Sequence, residues 1–235
     1  MIIKNNNMEL SKVFFLWLLL FCVSLTNSTI FGQNQFQQYL TSFPNGFTFN
    51  SNKVLFASNI PYDSIDKSQQ LFDVFIPSQS GSYPLVINIH GGGFTGGSKN
   101  SIYKTTSGRN EIQNFVNQGF AYASIEYRLI NSNGPDTSGV KKPLYDVKRA
   151  LQFIRYFAKD LKINPSRIVL TGSSAGAGTS LWLNVHDDMA DPSALDPILQ
   201  QSTKVCAVVL KNPQATYDVN DWETNVFYNY DGNGG

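Results

Sequence analysis

Two glycine-rich turns constrain this chain more than any other feature. His90-Gly91-Gly92-Gly93-Phe94 follows the run LVINIH (85–90), and Gly172-Ser173-Ser174-Ala175-Gly176 follows RIVLTG (167–172). Runs that are apolar without strict alternation fit strands buried on both faces, and glycines at their ends allow backbone turns closed to bulkier residues. LFDVFIP (71–77) alternates and stops at a proline, AYASIEY (121–127) follows a helical pattern around Glu111 to Asn117, and VCAVVL (205–210) reads as a further strand buried on both faces. From 144 to 161, Leu144, Val147, Leu151, Ile154, Ala158 and Leu161 recur at spacings of three and four, which predicts a helix that Asn164-Pro165 stops. A second helix is expected to begin near Ser174. Strands alternating with helices predict an α/β fold with a mostly parallel sheet, whose ligands bind at the carboxyl ends of the strands. Residues 33–70, rich in Gln, Asn, Ser and Phe, read as an extended N-terminal arm with one strand near Lys53 to Phe56.

Ahead of that arm, Val13 to Leu25 is apolar apart from Ser24, with Lys4 and Lys12 before it and polar sequence after it. This is the pattern of a secretory signal peptide, expected to span 1–32. Its thirteen residues fall short of the ~20 that a membrane-spanning helix needs. The remaining 203 residues carry a net charge near zero and one cysteine, Cys206, so no intrachain disulfide is expected. A secreted or periplasmic, cell-envelope location follows as an expectation. With 18 basic against 17 acidic residues and no block of like charge, nothing points to nucleic acid, and no stable membrane span is expected once the signal is removed.

Gly172 to Gly176 fits G-x-S-x-G, a strand-to-helix turn that exposes the central hydroxyl, which makes Ser174 the candidate nucleophile. The start of the following helix aims backbone N–H groups at negative charge forming beside it. The first turn lies 84 residues upstream and reads as an oxyanion loop, with the N–H groups of Gly92 and Gly93 joining that of Ala175 on the reacting carbonyl oxygen. Gly91 to Gly96 also satisfies the dinucleotide pattern G-x-G-x-x-G, but no strong helix opens at Phe94 and the serine turn would stay unexplained. As mere tight βα connections, the two turns would have no reason to occur in this order.

HGGGF (90–94), EYRL (126–129), Asp146 with RALQFIRYFA after it, NPSRIVLTGSSAGAG (164–178) and HDDMAD (186–191) together resemble the carboxylesterase and lipase branch of the α/β-hydrolases, close to the carboxylesterase type B and hormone-sensitive-lipase-like families. The resemblance covers about residues 70 to 212. It departs at Ser173, where these families usually carry an acidic residue, and at Gly176-Ala177-Gly178, where two glycines usually follow the alanine. It implies a hydrolase domain over 71–235, an acyl-enzyme on Ser174, ester substrates that are small molecules or groups linked to polysaccharide, and neither metal nor organic cofactor.

A serine hydroxyl needs a histidine to take its proton and a carboxylate to orient that histidine. The chain has two histidines. His186 lies twelve residues along the same predicted helix as Ser174, ~18 Å away at the rise of an α-helix. His90 precedes the glycine turn, where it is expected to hold the loop. Asp218 and Asp221 belong to the loop leaving the last predicted strand. The expectation is therefore a C-terminally incomplete esterase, inactive as it stands, with a noncatalytic hydrolase-like binding or adhesion protein as the alternative.

Overall fold

Among the described residues six strands form one sheet in the order β1-β2-β4-β3-β5-β6. They are Val54–Pro61 (β1), Leu71–Pro77 (β2), Tyr83–Ile89 (β3), Ala121–Ile125 (β4), Ile163–Ser173 (β5) and Ala207–Lys211 (β6). This computed structural model describes residues 35–50, 53–130, 137–214 and 216–217. The expected signal segment, Asp218 and Asp221 lie outside them. β1, β2 and β4 pair antiparallel, whereas β4, β3, β5 and β6 run parallel. The expected α/β architecture is thus present as a mixed, mostly parallel sheet.

The helices cover both faces, two on each. The short α1 (Ser101–Lys104) and the longer α2 (Thr106–Asn117) connect β3 to β4, α3 (Lys141–Tyr156) connects β4 to β5, and α4 (Ala175–Val185) connects β5 to β6. Ile112 and Val116 of α2 pack with Phe56, Phe75, Val86 and Tyr122. Leu144, Val147, Leu151 and Ile154 of α3, with Ala175 and Leu183 of α4, pack on the other cluster, which holds Leu85, Ile87, Ile89, Ala123, Ile125 and Leu170. Covered from both sides, all five residues of β4 are buried, which is why its sequence shows no alternation. Among the described residues no helix is long and apolar enough to cross a membrane.

Four expectations are corrected. The strand expected near Lys53 to Phe56 is longer than read: β1 runs from Val54 to Pro61 and joins the sheet, and ahead of it Phe36 is buried edge-on against Phe153 and Phe157. α3 ends at Tyr156, after which the chain turns through Lys162 at φ +54 while Ala158 and Leu161 stay buried, so apolar spacing outlasts the helix. Asn164-Pro165 opens β5 and does not stop a helix. β6 is not buried on both faces; Ala207, Val209 and Lys211 are exposed and Val208 and Leu210 half-buried, because among the described residues β6 pairs only with β5, at the sheet's edge.

Two buried carboxylates join distant parts of the chain. Asp73 on β2 accepts from Ser58 Oγ and Asn59 N at 2.8 Å each, where β1 bulges, and from Lys99 Nζ at 2.9 Å and Tyr103 Oη at 3.0 Å. Burial and the Asp73 carboxylate push the Tyr103 phenol well above its ordinary pKa, so it serves as a donor. Asp146 on α3 accepts from the Arg128 backbone at 2.9 Å, from its guanidinium at 2.6 and 2.8 Å, and from Gln70 Nε2 at 2.9 Å. Those bonds raise the Arg128 pKa. Removing one member of a buried pair leaves the other charge uncompensated. Asp73→Ala is therefore expected to cost about 3–5 kcal/mol in urea unfolding, because Lys99 has a side chain only 5% exposed. Cys206→Ser at an exposed position should stay within about 0.5 kcal/mol of the parent.

Candidate active site

β3 and β5 are neighbours in register, with Ile89 opposite Gly172, so the two glycine turns start side by side at the carboxyl end of the sheet. The connections leave in opposite senses there: β3 leads through α2 to β4 on one side, and β5 leads through α4 to β6 on the other. Such a switch point opens a crevice where ligands bind in parallel α/β sheets.

Glycines let the turns approach without side chains between them. A methyl group at Gly176 would collide with the Ile89 carbonyl oxygen and lie 2.7 Å from that of His90. One at Gly91 would stand 2.6 Å from the Ser173 carbonyl oxygen and 3.3 Å from Ser174 Cβ. Gly91 is thus the glycine that touches the serine turn, a contact the motif does not reveal. Gly92 sits at φ +120 and its carbonyl accepts from Thr95 N at 3.1 Å and Gly96 N at 3.0 Å, which closes the loop. Gly92 and Gly93 are exposed, and their N–H groups donate to nothing among the described residues.

Ser174 occupies φ +52, ψ −122, half-buried between β5 and α4. A non-glycine residue there costs on the order of 1–3 kcal/mol and persists only where its surroundings enforce it. Its N–H donates to the Lys211 carbonyl at 2.9 Å, and its carbonyl accepts from Gly178 N at 2.9 Å in the first turn of α4. Ala175 is buried at the start of that helix, as the motif requires. Phe94, at φ +64, is buried against Tyr127 and Tyr217 with ring centroids 6.2 and 5.6 Å away.

His90 holds the first turn in place, as expected. Its Nε2 lies 2.9 Å from Glu126 Oε1, its Nδ1 lies 2.8 Å from the Gly91 carbonyl oxygen, and its ring stacks on Tyr127 at 4.1 Å. Tyr127 Oη in turn donates to the His90 carbonyl at 2.8 Å. Glu126 also accepts from Lys99 N at 3.1 Å, so the loop is pinned before and after its glycines. His186 caps the far end of α4, exposed, with Nδ1 on the Trp182 carbonyl oxygen at 2.8 Å. Neither ring is placed against Ser174.

Two further residues at the site carry no local sequence signal. Gln214, three residues beyond β6, brings its carboxamide to the serine turn: with its oxygen toward α4 it accepts from Ala175 N at 3.3 Å and its nitrogen donates to the Ser174 carbonyl at 2.8 Å. Tyr217 buries its hydroxyl beside Gly178, and burial pushes that phenol up to about 12, so it stays protonated at neutral pH.

A polyketide synthase of Stereocaulon alpinum is 32% identical over 135 residues, 52% of this chain and 5% of that protein. Chlorogenic acid esterase of Aspergillus niger is 31% identical over 107 residues, 44% of this chain and 20% of that one. This chain therefore spans only a small part of either relative. Among solved structures, a propionate-bound thermophilic esterase from Thermogutta terrifontis shares the fold with a TM-score of 0.53 at 21% identity, over 72% of this chain and 60% of that one. The BD-FAE family model matches residues 72–226, well over half of the sequence. The chain belongs to the BD-FAE family and has the α/β-hydrolase fold of its esterase neighbours.

Proposed function

We propose that the protein is a secreted serine esterase in which Ser174 is the nucleophile and the N–H groups of Gly92, Gly93 and Ala175 receive the oxyanion. The observation that carries this reading is the strained Ser174 backbone at the start of α4, held directly against the glycine turn of β3. Ser174 Oγ attacks the ester carbonyl carbon and passes its proton to a base from solvent, since neither histidine ring faces it, and the carbonyl oxygen gains the negative charge. Collapse of that intermediate expels the alcohol, which takes up a proton, and water then releases the acid from the acyl-serine. Backbone donors fixed before the reaction lower the barrier because they need no reorganisation as the charge forms; each is worth roughly 10²–10³ in rate.

The esterase relatives support small-molecule esters as the substrate class, and the expected signal peptide supports esters outside the cytoplasm, including acyl groups on polysaccharides. A noncatalytic binding or adhesion role is favoured by one observation: the rings of both histidines are engaged elsewhere.

Fluorophosphonate labelling separates the readings. With imidazole supplying the base, slow covalent label at Ser174, lost in Ser174→Ala, is the expected result, and an unlabelled Ser174 in folded protein under those conditions overturns the esterase reading. With no histidine against Ser174, hydrolysis of p-nitrophenyl acetate by the 235-residue chain should stay within about 10³–10⁴-fold of the uncatalysed rate. Added imidazole should raise it beyond the rise seen with Ser174→Ala.

The glycines give an independent prediction. Gly176→Ala, whose methyl meets two β3-end carbonyls, is expected to lose about 3 kcal/mol in urea unfolding and its label. At Gly93 a methyl meets only Thr95 Oγ1 at 3.9 Å, so Gly93→Ala should cost about 1–2 kcal/mol of left-handed strain.

A further inference from the structure

Gln214 reaches the serine turn from outside it. With its oxygen on the Ala175 N–H and its nitrogen on the Ser174 carbonyl, both ends of the carboxamide are satisfied; in the opposite orientation the nitrogen would lie 3.4 Å from Ser174 Oγ. In both orientations the amide rests on the residues that the proposed reaction uses.

The approach depends on a missing side chain. A methyl group at Gly178 would stand 2.7 Å from the Gln214 carboxamide and would collide with the Tyr217 hydroxyl. Tyr217 also packs edge-on against Phe94, the residue after the glycine turn, with 5.6 Å between ring centroids. Gln214 and Tyr217 therefore lie over the first turn of α4, through a gap that Gly178 leaves open.

We propose that Gln214 is a specificity-determining residue that competes with the substrate, its amide carbonyl occupying the Ala175 N–H to which the acyl oxygen of an ester would bind. This rests on the reading of Ser174 as nucleophile. An amide carbonyl and an ester carbonyl are both planar, neutral acceptors, so they exchange on this donor at little cost in charge. The tetrahedral oxyanion is charged, and hydrogen bonds to a charged acceptor are about twice as strong as neutral ones. Gln214 is therefore displaced as the ester binds and does not oppose the charged intermediate. Its effect falls on the concentration of ester needed and not on the rate of the bound complex. Esters with weakly held acyl groups are excluded first.

The experiment measures concentration-dependent fluorophosphonate labelling of the full chain with imidazole supplying the base, giving a half-saturation constant and a maximal rate. Gln214→Ala should lower the half-saturation constant about threefold to tenfold, the range set by one displaced hydrogen bond, and leave the maximal rate unchanged. Gly178→Ala expels the same carboxamide by filling the gap. It should lower the half-saturation constant likewise, with a lower melting temperature because the same methyl also displaces the Tyr217 ring from Phe94. In both variants the Ala175 amide should exchange its hydrogen faster than in the parent. Unchanged Ala175 exchange in Gln214→Ala, or a fall in its maximal rate, overturns the proposal; a fall would make Gln214 a support of the serine and not a competitor. If no protein labels at Ser174, the nucleophile reading fails on its own, and Ala175 exchange still decides whether Gln214 holds that donor.

Discussion

Backbone meeting backbone at the carboxyl ends of β3 and β5 is the constraint on which the rest of the site depends. Ile89 and Gly172 are paired, so the two turns must pass each other within a few ångströms. Side chains at Gly91, Gly172 or Gly176 would stand against carbonyl or main-chain atoms of the other turn or of the same one. The close approach also fixes Ser174: its N–H is held by the end of β6 and its carbonyl by the first turn of α4, so the φ +52 conformation cannot relax without breaking both. Strain of this kind is tolerated because rigid elements on either side determine it.

A second level of order keeps the glycine loop from using the freedom its composition allows. His90 ties Gly91 to Glu126, Glu126 takes the Lys99 backbone, and the Lys99 ammonium reaches Asp73. Asp73 then holds the bulge of β1 through Asn59. The N-terminal strand is therefore linked to the loop through a chain of charged and polar contacts, most of them shielded from water. Ion pairs of this sort add little net stability over apolar packing, but once one partner is buried the other must be present. Their contribution here is geometric, since a loop of bare glycines has no side chains of its own to fix it.

Local pattern carried much of this architecture. β2 was legible to the residue because alternation and a proline bound it, and β4 was legible as the start of AYASIEY, which runs two residues past the strand. Ser174 and both glycine turns were legible because sharp turns demand particular residues. β6 misled because VCAVVL is as apolar as a central strand, yet its position in the sheet depends on what pairs beside it, which no local pattern encodes. The first strand was underestimated for a related reason: its polar positions Ser58 and Asn59 look like loop until Asp73, fourteen residues on, supplies their acceptor. Gln214 and Tyr217 had no signal at all, since their importance comes from Gly178, a helix residue whose missing side chain leaves room for them.

On the reading of Ser174 as nucleophile, an oxyanion site made of backbone donors would act alike however the serine is activated. Such donors are fixed by the fold and point at a position in space, so they would donate to any carbonyl oxygen that reaches them, the protein's own included. On the reading of Ser174 as nucleophile, selectivity cannot come from those donors, which are alike for every ester. It must come from whatever competes for them and from the walls around them. Gln214 is placed to compete, and Phe94 and Tyr217 to form a wall. On that reading the two glycine turns would supply the oxyanion geometry, and discrimination among esters would fall to Phe94 and to residues that arrive from beyond β6.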